Sequence, residues 1–142
     1  MEKKEYPVRV VIATLRFGEG GGEKEEYTYL GRVCEGAHFV LCYESEEGEE
    51  RQKTELSFDS QTPEPMSLRQ SGTVFCELRF DTKHPYKTLY RVQGAGEIDM
   101  EIRTRSLGCE RTATGWRIRL DYETVVGGVR MRTVMTLTVT PS

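Results

Sequence analysis

The chain has 142 residues, of which 37% are hydrophobic and 30% charged, and its formal net charge is −3. That length suits one domain over residues 1–142 with a core of its own. No stretch approaches the ~20 apolar residues of a membrane-spanning helix, and no overall cationic excess draws the chain to nucleic acid.

Met1-Glu2-Lys3-Lys4-Glu5 leads into alternating residues rather than the apolar block of a signal peptide. The expectation is a cytoplasmic protein that does not engage a membrane. Cys34, Cys42, Cys76 and Cys109 are scattered, with no C-x-x-C spacing, and read as reduced, small apolar side chains. Asparagine is absent, so turns rest on glycine. Charge is uneven: residues 1–66 carry a net −7 and residues 67–142 a net +4.

In chain order, the apolar pattern repeats every second residue, the period of a strand with one wet face. Val8, Val10 and Ile12 mark the first strand, ended by Gly18-Glu19-Gly20-Gly21-Gly22. A second, from about Glu25 to Val33, sets Tyr27, Tyr29, Gly31 and Val33 against Glu26, Thr28, Leu30 and Arg32. Phe39, Leu41 and Tyr43 share a face in the third, and an acidic turn at Glu46–Glu50 leads to Thr54, Leu56 and Phe58. Thr62-Pro63-Glu64-Pro65 bars a central strand, because proline cannot donate to the ladder. Met66 and Leu68 make a short fifth strand. Val74, Cys76, Leu78 and Phe80 make the sixth, and Thr88, Tyr90 and Val92 the seventh. The eighth carries Met100, Ile102 and Thr104 inward and Arg103 and Arg105 outward. Trp116 to Tyr122 and Val129 to Val139 complete ten strands.

Gly127-Gly128 is a two-residue hairpin loop. Pairing Val126 with Val129 makes residue numbers across the pair sum to 255. Trp116, Ile118, Leu120 and Tyr122 then meet Val139, Leu137, Met135 and Thr133 on one face, and Glu123 meets Arg132 on the other. A slip of one residue would set arginine against leucine throughout.

Ten sequential strands joined by short turns form a meander, and closure into an up-and-down antiparallel barrel removes its edges. A two-sheet sandwich would need longer crossovers. The fold expected is all-β: a single barrel of about ten strands.

Catalytic machinery is sparse. His38 and His84 lie in no nucleophile or metalloprotease motif, so no catalytic residue is assigned and the protein is expected not to be an enzyme. Asp81-Thr82-Lys83-His84 offers two metal ligands where a site needs three or four, so neither a metal nor a cofactor is expected. The glycines of 18–22 are followed by neither Lys-Ser/Thr nor a helix and cradle no phosphate. The Glu46–Glu50 run lacks the spaced oxygens of a calcium loop.

Two features remain. Arg103 and Arg105 at the end of one strand and Arg117 and Arg119 at the start of the next would meet on the outer face near Arg111. The plain account is neutralisation by Glu101, Asp121 and Glu123. The sharper one is an anionic partner: RNA, a nucleotide phosphate, or the acidic half of a second copy, as in a homodimer. No exposed aromatics flank the arginines for base stacking, which weakens the RNA version. Inside the barrel, Tyr43, Thr88, Tyr90, Thr104, Tyr122 and Thr133 would set hydroxyls among Met100, Met131 and Met135. Such a lining describes a small-molecule pocket and equally a packed core with phenols reaching the rim.

Leu68-Arg69-Gln70-Ser71-Gly72, Phe80, Gly96-Glu97-Ile98-Asp99-Met100-Glu101-Ile102-Arg103-Thr104 and Leu120-Asp121-Tyr122 resemble the YwiB-like family of small bacterial proteins. The resemblance spans nearly the whole chain through spaced single residues. It implies a calycin-type, lipocalin-like barrel in the bacterial cytosol, with no established activity. The chain departs from the family pattern at Gln70, where an arginine is expected, and carries Arg69 one position earlier.

The leading reading is a non-catalytic barrel that binds a small, partly apolar ligand in its interior. Tyr43, Thr88, Tyr90, Met100, Tyr122, Met131, Thr133 and Met135 would line it. The alternative is an interaction module using Arg103, Arg105, Arg117 and Arg119.

Overall fold

Alternation with a period of two becomes strand along almost the whole chain. The computed structural model describes residues 3–18, 21–47 and 50–142, with the side chains of 46, 47 and 50 outside the description. Its strands are β1 (Lys4–Gly18), β2 (Gly21–Glu35), β3 (His38–Glu47), β4 (Glu50–Asp59), β5 (Met66–Gly72), β6 (Val74–Phe80), β7 (Tyr86–Val92), β8 (Gly96–Thr112), β9 (Gly115–Val126) and β10 (Val129–Pro141). Among the described residues there is no helix, and so none long and apolar enough to cross a membrane.

The ten strands close into a barrel in the order β1-β10-β9-β8-β7-β6-β5-β4-β3-β2, every neighbouring pair antiparallel. The β9–β10 register is the one expected, from Val129 opposite Val126 to Val139 opposite Trp116.

Three boundaries differ from expectation. β2 starts at Gly21, so two of the loop glycines belong to the strand. Glu46, Glu47 and Glu50 are strand residues rather than turn, and 48–49 lie outside the described residues. β8 runs on to Thr112, past Arg105, because a bulge between Thr104 and Ser106 absorbs one residue and the pairing with β9 continues beyond it. The bulge switches the inward face from even to odd numbers: Leu107 meets Leu120, and Cys109 meets Ile118.

The core fills the end of the barrel where β1 begins. Val8, Val10, Val33, Phe39, Leu41, Leu56, Met66, Phe80, Ile102, Ile118, Leu120 and Leu137 are fully buried there. Phe39 stacks on Phe58 at 4.7 Å, and Trp116 closes on Phe39 at 5.0 Å. Each such side chain, taken from water, contributes roughly 1.5–3 kcal/mol. At this closed end the Arg111 guanidinium lies 5.1 Å above the Trp116 ring and donates to Glu35 at 2.6 Å. The Tyr6 hydroxyl donates to the other Glu35 oxygen at 2.9 Å. Burial, and then the Glu35 carboxylate, push the Tyr6 phenol up.

The ladders are uneven. β1 and β2 pair along their full length, but β2 pairs β3 only from Gly31 to Glu35. β6 and β7 share only two rungs, Val74 with Val92 and Phe75 with Arg91.

Candidate functional site: the open mouth of the barrel

The inward faces of β1, β3, β4 and β5 turn polar as they leave the core toward the opposite end. On β1 the inward sequence Val8, Val10, Ile12 continues as Thr14 and Arg16, and on β3 Phe39, Leu41 and Tyr43 continue as Ser45. On β4 Gln52 and Thr54 precede Leu56, and on β5 Gln70 follows Met66 and Leu68. Thr14 and Thr54 are buried, while Arg16, Ser45, Gln52 and Gln70, one step farther out, are half-buried and keep part of their solvation without leaving the inner face.

A cavity of about 370 Å³ opens there, lined by Arg16, Ser45, Gln52, Gln70, Thr73, Val74 and Tyr90. Among the described residues Arg16 is the one charged member of that lining. Its Nη1 lies 3.2 Å from Glu25 Oε2, and its charge works against the burial that pushes the Tyr122 phenol up.

Gln52 is committed to the frame: Nε2 donates to the Val74 carbonyl at 2.9 Å, and Oε1 accepts from the Val74 amide at 3.2 Å. Gln70 Oε1 accepts a weak bond from Cys76 Sγ at 3.3 Å. Burial lifts the Cys76 thiol to about 11, which keeps it protonated and unreactive at neutral pH.

Below the mouth lies a column of phenols. Tyr27 and Tyr29 stack at 6.1 Å, and Tyr29 stacks on Tyr43 at 5.3 Å, with rings within 17° and 13° of parallel. The column forms because Gly31, directly opposite Tyr43, has no side chain to occupy the intervening space. A Cβ on Gly31 would run into the Cys42 carbonyl oxygen. Burial lifts the Tyr43 phenol to about 12.

Of the residues assigned from sequence, Tyr43, Met100, Tyr122 and Thr133 are buried on the inner face, and Thr88, Tyr90 and Met135 are half-buried. Met131 is 39% exposed at the mouth. Tyr90 alone among them lines the mouth cavity. Thr88 and Met100 line a separate cavity of about 480 Å³ beside Lys87, Glu101 and the Gly127-Gly128 turn. Thr88 also lines an opening of about 380 Å³ in the wall at the β6–β7 seam, which it shares with Gln70, Cys76, Phe75 and Leu89. Thr104 accepts from the Asp81 amide at 3.1 Å and serves the frame.

Arg16, Ser45, Gln52 and Gln70 escape a reading that ends each inward face at its last apolar residue. Extending the period by one step finds them. Arg69 points outward and lies 3.8 Å from Glu77, so it does not stand in for a cation at position 70.

The four arginines of the expected basic face are all exposed, but they do not form one cluster. With β8 extended to Thr112, Arg103 pairs with Glu123, Arg119 with Gly108 and Arg117 with Glu110, while Arg105 sits at the bulge. Arg103 Nε lies 3.4 Å from Glu101, and Arg111 faces the closed end. Acidic residues therefore interleave with the arginines. The Glu123–Arg132 pair also resolves differently. The two are opposite in register, but Arg132 grips Asp121 with two bonds of 3.1 and 2.8 Å, and Arg130 approaches Glu123 at 3.8 Å.

Among the described residues no group of three or more His, Cys, Asp or Glu could hold a metal ion. The chain superimposes on the crystal structure of the ywiB protein from Bacillus subtilis with a TM-score of 0.85 at 22% identity, over 97% of this chain and 93% of that one. No match was found among curated proteins. Residues 10–136 match the model of a domain of unknown function, DUF1934. With that match spanning most of the barrel and the fold agreeing along its length, the chain belongs to the DUF1934 family.

Proposed function

We propose that the protein binds a small, partly apolar molecule with at least one polar or anionic group, without transforming it, at the mouth of the barrel. The observation that carries this reading is the mouth cavity of about 370 Å³, in which hydroxyls, amides and one guanidinium converge beside the Tyr90 ring. Its volume falls within the ~300–1,000 Å³ typical of small-ligand sites. The Arg16 charge, the Gln70 amide and the Tyr90 phenol supply the orienting polar contacts. The core is filled by aromatic and aliphatic side chains, and in the cleft of about 370 Å³ at the opposite end the polar groups of Tyr6, Glu35 and Arg111 are already joined to one another, so the ligand sits at the mouth rather than deep within. His38 lies near the closed end, at the start of β3, and His84 lies on the loop after β6, so neither is placed to act on a molecule held there.

Native mass spectrometry of the folded chain, beside a denatured control, tests this. An extra mass that leaves on denaturation, and that is lost in Arg16→Ala and Gln70→Ala proteins of unchanged thermal stability, is the expected result. A clean mass, together with no thermal shift across a set of small acids and neutral molecules, overturns it.

A further inference from the structure

Most strands of this barrel alternate an apolar inner side with a charged outer one, but β1 is apolar on both. Val8, Val10 and Ile12 point inward, while Val11, Ala13, Leu15 and Phe17 point outward, where β6 by comparison carries Glu77 and Arg79. Leu15 is 39% and Phe17 45% exposed. On β10 the outward residues opposite Val11, Ala13 and Leu15 are Thr138, Thr136 and Val134. These successive rungs of the outer wall carry no charge, and an apolar patch rimmed by charge marks a contact surface.

The rim has opposite signs on its two sides. The Ala13–Thr136 rung continues to Arg119 on β9 and to Glu26 on β2, and both of these are exposed. Arg119 stands between Gly108 and Thr136. Of the acids flanking it on this face, Asp121 is held by Arg132 and Glu110 lies opposite Arg117. Glu26 stands opposite Ala13, with Lys24 two residues along the same face. The next rung, Asp121, Val134, Leu15 and Lys24, again ends in opposite charges.

We infer that this face of β9, β10, β1 and β2 is an interface between two copies of the chain, related by a two-fold axis running along the strands between β10 and β1. That operation lays β10 of one copy over β1 of the other, and β9 over β2, as two aligned sheets. Leu15 then meets Val134 of the other copy, Ala13 meets Thr136, and Arg119 meets Glu26, each contact being made twice. Lys24 falls over Asp121. A barrel wall is convex, so the copies approach closest at the small side chains of Ala13 and Thr136. The long side chains of Arg119 and Glu26 reach across the wider gap at the flanks. An axis running across the strands would set β9 on β9 and β2 on β2, with like charges facing each other. The face is thus complementary to itself in one arrangement, which selects a second copy over an unrelated partner.

Sedimentation equilibrium of the full chain across the micromolar range tests this. The mass is expected to rise with concentration toward twice the chain's 16.3 kDa. Arg119→Glu and Glu26→Arg each set like charges together at two places and should weaken association about tenfold or more. The double variant restores opposite signs and should return the affinity to within about threefold of the parent. Such a rescue has no counterpart in a folding defect. Leu15→Glu, at an exposed position, should abolish the dimer while thermal unfolding stays close to that of the parent. A chain that remains monomeric throughout overturns the proposal. So does a dimer that Leu15→Glu or the single reversals leave unchanged, or a double variant no tighter than either single one.

Discussion

The side-chain amide of Gln52 makes with Val74 the two hydrogen bonds that a neighbouring strand would make, 2.9 Å to its carbonyl and 3.2 Å from its amide. β5 separates their strands and ends at Gly72, directly opposite Gln52, so the side chain bridges from β4 to the start of β6 where backbone pairing stops. Gln52→Ala removes both bonds and should cost about 1–3 kcal/mol. Gln52→Glu retains the acceptor but presents a carboxylate to the Val74 carbonyl, and should be at least as costly. Urea unfolding of the two variants checks both outcomes; no loss in either would make the bridge incidental.

Stability should depend on pH through Asp121. Its two bonds from Arg132, assisted by the Arg105 and Arg119 charges, hold its carboxyl below the usual value of 3.8. A carboxyl depressed in the folded state contributes stability that is complete above the unfolded value and is lost as pH falls through the folded one. Asp121→Asn should therefore be less stable at neutral pH, and its stability should decline less steeply below about pH 4. Parallel decline in both proteins would show that other carboxylates govern acid unfolding.

The alkaline side belongs to Tyr43. Its folded value of about 12 exceeds the ordinary 10.0 because burial disfavours the phenolate. The unfolded chain ionises first, so stability is complete below pH 10 and is lost between about 10 and 12. Tyr43→Phe should flatten that loss. The tyrosinate absorbance of the native protein should rise late by at least one phenol, and a titration complete near pH 10 would contradict the burial argument.

Gly31 holds β2 close to β3 and leaves room for the stacked rings of Tyr29 and Tyr43. Gly31→Ala sets a methyl group against the Cys42 carbonyl and should destabilise the fold by more than about 2 kcal/mol. It should also change the near-ultraviolet circular dichroism of the tyrosine stack. A silent substitution would mean that the two strands separate more readily than their pairing indicates.

Much of this architecture is legible in the sequence, because one alternating face per strand fixes both the period and the register. The β9–β10 pairing follows from Gly127-Gly128 and from the cost of setting arginine against leucine. What escapes is local. The bulge at Arg105 inverts the face of β8, and its signal is a change of parity from Met100, Ile102 and Thr104 to Leu107 and Cys109. Reading that strand as ending at Arg105 crowds arginines that are in fact distributed along a longer ladder. The mouth residues escape for another reason: polarity alone cannot tell an inward position at a wet barrel end from an outward one. Arg16 and Gln70 look like surface residues until their strands are extended past the last apolar side chain.

The two-rung seam between β6 and β7 makes the ring resemble a belt fastened by a short buckle. Parting Val74 from Val92 and Phe75 from Arg91, with the 2.9 Å bond from the Gln93 amide to the Thr73 carbonyl, would turn the cylinder into an open sheet while β5–β6 and β7–β8 kept their own ladders. Local opening of this kind needs far less free energy than global unfolding. Gln70 and Thr88, already at the edge of that opening, would become a doorway through the wall, and because Gln70 also lines the mouth cavity, a molecule too wide for the mouth could reach that cavity from the side.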